Sequence, residues 1–238
     1  MSSSISGMFQ NYHLRLDAPV KKHLKNVYAC LGLSVTSFAV GGYVQMYSSF
    51  FQHIGFLPNL ISTFPALALF FSSDNGKNRL QRLSMLLGFA FLNGVGFGPL
   101  MSMAMMKNPA IIPSSFLMAI SIFAAFSGMA LYAPSRQYLY LGGVLLSALS
   151  SLFWLSLISY FAHSYLIFKI QLWAGLAVFC GFVVFDTQNI IQKCEAGDKD
   201  FIRHSVDLFI DFVNILKDIM IILMDKEKPR DKKNQNSK

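Results

Sequence analysis

Long runs without a single charged residue dominate this chain and restrict the folds open to it. They cover residues 26–73, 83–106, 108–135 and 137–168, and a fifth extends over 170–185. A helix needs about 20 apolar residues to cross a hydrocarbon core of ~30 Å, so the first run has room for two crossings and each of the others for one. In lipid the backbone must satisfy its own polar groups, which leaves helices and closed barrels. The weak alternating pattern of a membrane barrel is absent. Charged residues are only 13% of the chain, roughly half the share of a soluble domain. The expected fold class is therefore an all-α polytopic membrane protein. It has six transmembrane helices plus a seventh, C-terminal helix that is re-entrant or transmembrane.

The expected spans are 27–47, 55–71, 83–106, 111–132, 139–161 and 170–191, with 205–224 as the seventh segment. Between them, Asp-Asn-Gly-Lys at 74–77 and Ala-Pro-Ser-Arg at 133–136 have turn chemistry. The organisation expected is a cytosolic N-terminal segment (1–26), a helical bundle (27–224) and a basic cytosolic tail (225–238). Residues 1–26 lack the apolar stretch of a cleavable signal peptide. Lysine and arginine counts orient the chain. One side receives Arg15, Lys21, Lys22 and Lys25, then Lys77, Arg79 and Arg82, then Arg136, then Lys193, Lys199 and Arg203. The other receives Lys107 and Lys169. The N-terminus is thus expected in the cytosol. Six basic residues follow the seventh segment, and for them to obey the same rule that segment must turn back. The charge count favours a re-entrant or shallow seventh segment and a cytosolic C-terminus.

The net charge of +8 is spread over loops and ends with no nucleic-acid-binding signature, so no nucleic acid is expected as partner. Cys30, Cys180 and Cys194 have no spacing that suggests a disulfide framework or a zinc site. No metal site is expected beyond transient calcium, and no cofactor.

The acids are distributed very unevenly. From Ala18 to Phe185 the only carboxylate is Asp74, and ten of the twelve acids lie at or after Asp186. An ionisable group at membrane depth is expensive and marks ion or proton paths. Asp186 ends an uncharged run, and Asp211 lies inside the seventh segment. Asp207, Asp211, Asn214 and Asp218 are spaced +4, +3 and +4, which forms a polar stripe on an otherwise apolar helix. Asp186, Asn189 and Lys193 form a similar stripe. Asp207, next to the charged loop, is read as reaching the interface, whereas Asp186 and Asp211 are read as functional. Arg79 and Arg82 are candidate counter-ions for the pair, with positive-inside anchoring as their plainer role. Gly94 and Gly98 have the small-xxx-small spacing of close helix packing. Pro99 should kink its helix, and Asn93 needs a partner inside the bundle.

Several stretches together resemble the transmembrane Bax inhibitor motif family, and within it the endoplasmic-reticulum branch. They are Gly88-Phe-Ala-Phe-Leu-Asn-Gly-Val-Gly-Phe-Gly-Pro99, Tyr138-Leu-Tyr-Leu-Gly-Gly143, Gly181-Phe-Val-Val-Phe-Asp-Thr-Gln188, Asp207-Leu-Phe-Ile-Asp-Phe212 and His23-Leu-Lys-Asn-Val-Tyr28. The resemblance covers about 20–233. It implies a six- or seven-helix fold, suppression of apoptosis and of endoplasmic-reticulum stress signalling, and a calcium leak. It also implies a protonation switch at two aspartates, which map onto Asp186 and Asp211. Implied partners are the lipid bilayer, calcium as permeant ion, protons, anti-apoptotic Bcl-family proteins, the stress-sensor kinase/endoribonuclease and a second copy of the chain. The basic tail is typical of the branch but is interrupted by Glu227, Pro229 and Asp231.

Two carboxylates within hydrogen-bonding reach cannot both ionise cheaply, so the pair titrates as a unit. A shared proton would staple the sixth and seventh segments together, and its loss would leave hard oxygens able to receive calcium. Two rival functions are a non-conducting scaffold and an intramembrane aspartyl protease. The protease reading lacks the Gly-x-Gly that precedes its second aspartate, since Leu-Phe-Ile precedes Asp211. The protein is therefore expected not to be an enzyme.

Overall fold

The computed structural model describes residues 17–54, 57–72, 74–133, 138, 140–162 and 164–227. Among them run eight helices and no strands: α1 (Ala18–Tyr47), α2 (Ser49–Ile54), α3 (Leu57–Phe71), α4 (Arg79–Lys107), α5 (Ile111–Tyr132), α6 (Leu141–Ala162), α7 (Tyr165–Glu195) and α8 (Phe201–Lys226). Five of these, α1, α4, α5, α6 and α7, are long and apolar enough to cross a membrane. With its exposed surface rich in large apolar side chains, the chain is a multi-pass membrane protein. Helix α3 is apolar but short, with 15 residues. Helix α8 is long enough but carries too many charges to qualify by composition. Arg15, Arg136 and the basic tail from Lys228 onward lie outside the described residues.

Local chemistry sets the helix ends. Pro19 stands in the first turn of α1, where its missing N–H is no loss. Ser164 caps α7 by accepting from the Ile167 N–H, and Asp200 caps α8 by accepting from the Arg203 N–H at 3.1 Å. Between α7 and α8, Gly197 takes φ +101°, a conformation that side chains resist, and so lets the chain turn back. Helix α1 begins well before the expected boundary at Val27 because residues 18–26, although polar, still pack: Val20, His23 and Leu24 are buried. Helix α4 runs on through Pro99, and α3 through Pro65.

Helix α8 is the centre of the molecule. It packs against α7, α5, α1 and α4, and half of its length is buried, including Phe209, Phe212, Ile215, Leu216 and Met220. Phe209 stacks edge-on against Phe38 of α1 and Phe89 of α4, and Phe212 against Phe123 of α5. Charge counting favoured a segment that turns back or lies shallow. The structure instead has one unbroken helix of 26 residues, about 39 Å long at 1.5 Å per residue. Its first turn meets the start of α1 through His23 and His204. Its last turn meets the opposite end of the bundle. There Lys107 at the end of α4 donates to the Met224 carbonyl, and Asn108 donates to Glu227 at 2.6 Å. Lys169 and Tyr165 at the start of α7 hold Asp225. The two lysines of the charge-poor side thus both serve the C-terminal turn of α8, where cations complement free carbonyls. A count of loop charges cannot see this pairing.

Candidate functional site between the last two long helices

The seam between α7 and α8 collects the acids. Helix α7 contributes Asp186 and α8 contributes Asp211, and the two carboxyls lie close enough to act on each other. A carboxylate has no donor, so a hydrogen bond between them would need a proton on one of the two. Asp211 is 4% exposed, and its Oδ2 has no hydrogen-bond partner among the described residues. One turn earlier Asp207 is half-buried, near Lys193 and Arg203, and close enough to add its charge to both members of the pair. Lys193 also approaches Asp186. The seam can therefore exchange a proton or accept a cation, and Lys193 places a basic group at the Asp207 end of it.

The remaining residues of the two stripes have separate roles. Asn214 donates to the Ile210 carbonyl at 2.9 Å and accepts from Lys217 at 3.1 Å. Asp218, also 4% exposed, stands 3.6 Å from Lys217. Asn189 is half-buried on α7. Among the described residues, no three His, Cys, Asp or Glu side chains are arranged to hold a metal ion.

The arginines take other partners than the pair. Arg82 is fully buried, and its Nη2 meets Asp200 Oδ2 at 2.5 Å, while Nε and Nη1 have no partner among the described residues. Arg79 stands 3.6 Å from Asp74 and is mostly exposed. Neither reaches Asp186 or Asp211 as counter-ion. Asp200 caps α8 and neutralises Arg82 together, so it ties α4 to the α7–α8 connection. Among the described residues, Asn93 donates to Phe89 O in its own helix at 2.8 Å. At Gly94, a Cβ would collide with the Phe38 backbone, and at Gly98 with the Gln45 side chain, so α1 and α4 approach as closely as their backbones allow.

Two polar assemblies escaped sequence reasoning. On one, His23 Nε2 and His204 Nδ1 lie 2.9 Å apart, and His204 Nε2 faces Asp198 Oδ2 at 3.4 Å. The Asp198 carboxyl is subject to a burial penalty that pushes it up. The Asp200 N–H, at 3.0 Å, and the His204 ring outweigh that penalty and hold it below its ordinary value of 3.8. On the other, Tyr28 and Thr187 both reach Ser127, the latter at 3.3 Å. Gln188 beside them donates to Ala130 O at 3.1 Å and accepts from the Tyr138 N–H at 3.2 Å. Thus all three residues of Asp186-Thr-Gln188 are used: Asp186 toward α8, and Thr187 and Gln188 toward α5. One available signal was overlooked: His204, Asp211, Asp218 and Asp225 recur every seven residues, two helical turns apart and on one face.

A family profile described as "Inhibitor of apoptosis-promoting Bax1" matches residues 20–228. Bax inhibitor 1 of Rattus norvegicus is 44% identical over 219 residues, covering 90% of each chain. Bax inhibitor 1 of Homo sapiens is 44% identical over 215 residues, again 90% of each. Bax inhibitor 1 of Arabidopsis thaliana is 37% identical over 211 residues, 88% of this chain and 83% of the relative.

Proposed function

The chain belongs to the Bax inhibitor family, an anti-apoptotic family of membrane proteins, and from that premise we propose that it is an endoplasmic-reticulum protein that leaks calcium under the control of Asp186 and Asp211. The observation that carries this reading is the meeting of two buried or half-buried carboxyls, Asp186 and Asp211, across the α7–α8 seam. While one proton is shared, the two helices are stapled at mid-seam. When it leaves, two anions face each other in a medium of low dielectric, where repulsion is strong. Either the seam loosens or a cation enters to balance it. Calcium suits such a site because it takes oxygen ligands, and carboxylates are its preferred ones.

Asp207 and Lys193 set the field at one end of this seam, so the pair responds to proton activity on that side. Positive-inside bias assigns that side to the cytosol, with the N-terminus. The through-running course of α8 favours Asp225 at the opposite side, with lipid around α3, α5 and α6.

Purified protein in calcium-loaded liposomes tests the reading. The wild type should pass calcium with a pH-dependent rate. Asp186→Asn and Asp211→Asn should each remove most of that dependence, because an amide neither shares nor loses a proton. Two mutants that kept the wild-type pH profile would sink the mechanism. A folded wild type that passes no calcium would leave the non-conducting scaffold as the better reading.

A further inference from the structure

On the far side of Asp211 from Lys193, the structure contains a cavity of about 350 Å³ between α6, α7 and α8. It would hold about ten waters at ~30 Å³ each. Its walls are largely apolar, but four polar side chains converge on it: Ser156 from α6, Gln171 from α7, and Lys217 and Asp218 from α8. Gln171 donates to Ser156, bridging α6 and α7. A carboxyl as buried as that of Asp218 needs room made for it. Gly175 makes that room, since a Cβ there would stand 3.0 Å from Asp218 Oδ2.

The position of Asp218 along α8 is equally informative. It lies seven residues beyond Asp211 and seven before Asp225, so steps of ~10.5 Å on one helix face lead from the dyad to the end of the bundle. Cys180 of α7 lies near both Asp211 and Asp218, so one short stretch of α7 separates the cavity from the dyad. Lys217 places a cation in the same space. Its ammonium donates to Asn214 Oδ1 at 3.1 Å, stands 3.6 Å from Asp218 and lies 5.8 Å from the Phe179 ring centre.

We propose that this cavity is the water-filled vestibule through which a divalent cation reaches Asp186 and Asp211, with Asp218 as its oxygen station and Lys217 as a tethered cation that competes for it. The proposal rests on the calcium-leak reading above. A divalent ion needs carboxylate and neutral oxygens to replace part of its hydration shell; the cavity supplies Asp218 with Ser156 and Gln171 nearby. A fixed ammonium in the same space opposes a second cation through like-charge repulsion that bulk water does not screen. Lys217 is therefore a specificity-determining residue: it sets how readily the carboxylate is free to bind.

The test uses the full chain in liposomes, with Ser156→Cys exposed to a membrane-impermeant, positively charged thiol reagent added from the Asp225 side. The wild type, whose three cysteines are buried, is the blank, and Ser121→Cys on the exposed face of α5 is the lipid-facing control. Ser156→Cys should react and its calcium flux should then fall by about tenfold, as expected for a fixed positive charge in a confined path. In a separate variant, Lys217→Met should raise unmodified flux by about tenfold for the same reason. Lys217→Met also keeps the idea testable if Ser156→Cys does not fold. A wild type that conducts while Ser156→Cys stays unlabelled, is labelled without loss of flux, or while Lys217→Met leaves flux unchanged, overturns the vestibule but not the dyad. A wild type that passes no calcium overturns both.

Discussion

The α1–α4 seam and the α7–α8 seam are built on opposite principles. Between α1 and α4, glycines bring backbone against backbone: Gly94 lies on Phe38 and Gly41 on Phe91. Such a contact has one arrangement and no titratable group. Between α7 and α8 the contact includes Asp186, Asp207, Asp211 and Asp218, and beside it lies a cavity rather than a close-packed wall. One seam is a fixed frame and the other can change with protons and ions. Arg82 of α4, through Asp200, joins the frame to the adjustable part.

Cutting that joint should have the largest effect. Asp200→Asn leaves the Arg82 charge buried without compensation, which costs about 3–5 kcal/mol for buried pairs of this kind. A large fall in thermal unfolding temperature in detergent is the expected outcome, with most of it regained in an Arg82→Met/Asp200→Asn double variant. If the double is as unstable as the single, the joint is not an isolated ion pair.

The frame itself comes next. Gly94→Val forces a side chain into the Phe38 backbone, and overpacking of this sort costs about 1–3 kcal/mol. The expected readout is a lower unfolding temperature with an unchanged pH profile of flux. A changed pH profile would mean that the two seams are not independent.

Smaller effects should come from the hydroxyl relay that holds α1 and α7 to α5. Tyr28→Phe removes one hydrogen bond to Ser127, about 1 kcal/mol, measurable by the same unfolding assay. The smallest belongs to Asp198. Its carboxyl is held below the ordinary value of 3.8, so its contribution to stability is fully present above that value and lost as pH falls through the lower folded one. Asp198→Asn should lower stability slightly at neutral pH, and that loss should disappear as pH falls below about 4, which flattens acid unfolding. A loss of equal size in acid and at neutral pH would show that the side chain acts on His204 by geometry rather than by charge.

How much of this was legible beforehand depends on the range of the interaction. The helices were, because uncharged runs and helix periodicity are local; the span at Ile111–Tyr132 coincides with α5 at both ends. Asp186 and Asp211 stood out because a charge inside such a run is costly. Gly94 and Gly98 could be picked out by spacing, but not Phe38 and Gln45, which they meet. The sequence leaves the course of α8 open between re-entrant and transmembrane, because a loop-charge count does not see that Lys107 and Lys169 meet its last turn and that its acids face α7. Arg82 was read as an anchor at the membrane surface, since a single arginine beside a loop gives no sign that it will be fully buried.

The sequence by itself determined that this is a membrane-embedded helical bundle with acids concentrated in its last two helices, because hydrocarbon enforces helices and penalises stray charge wherever they occur. Only the tertiary structure decided what those acids face. Arg82 meets a residue 118 positions away and His23 one 181 positions away. A helical period says which face a side chain shares, and nothing about which helix arrives opposite it.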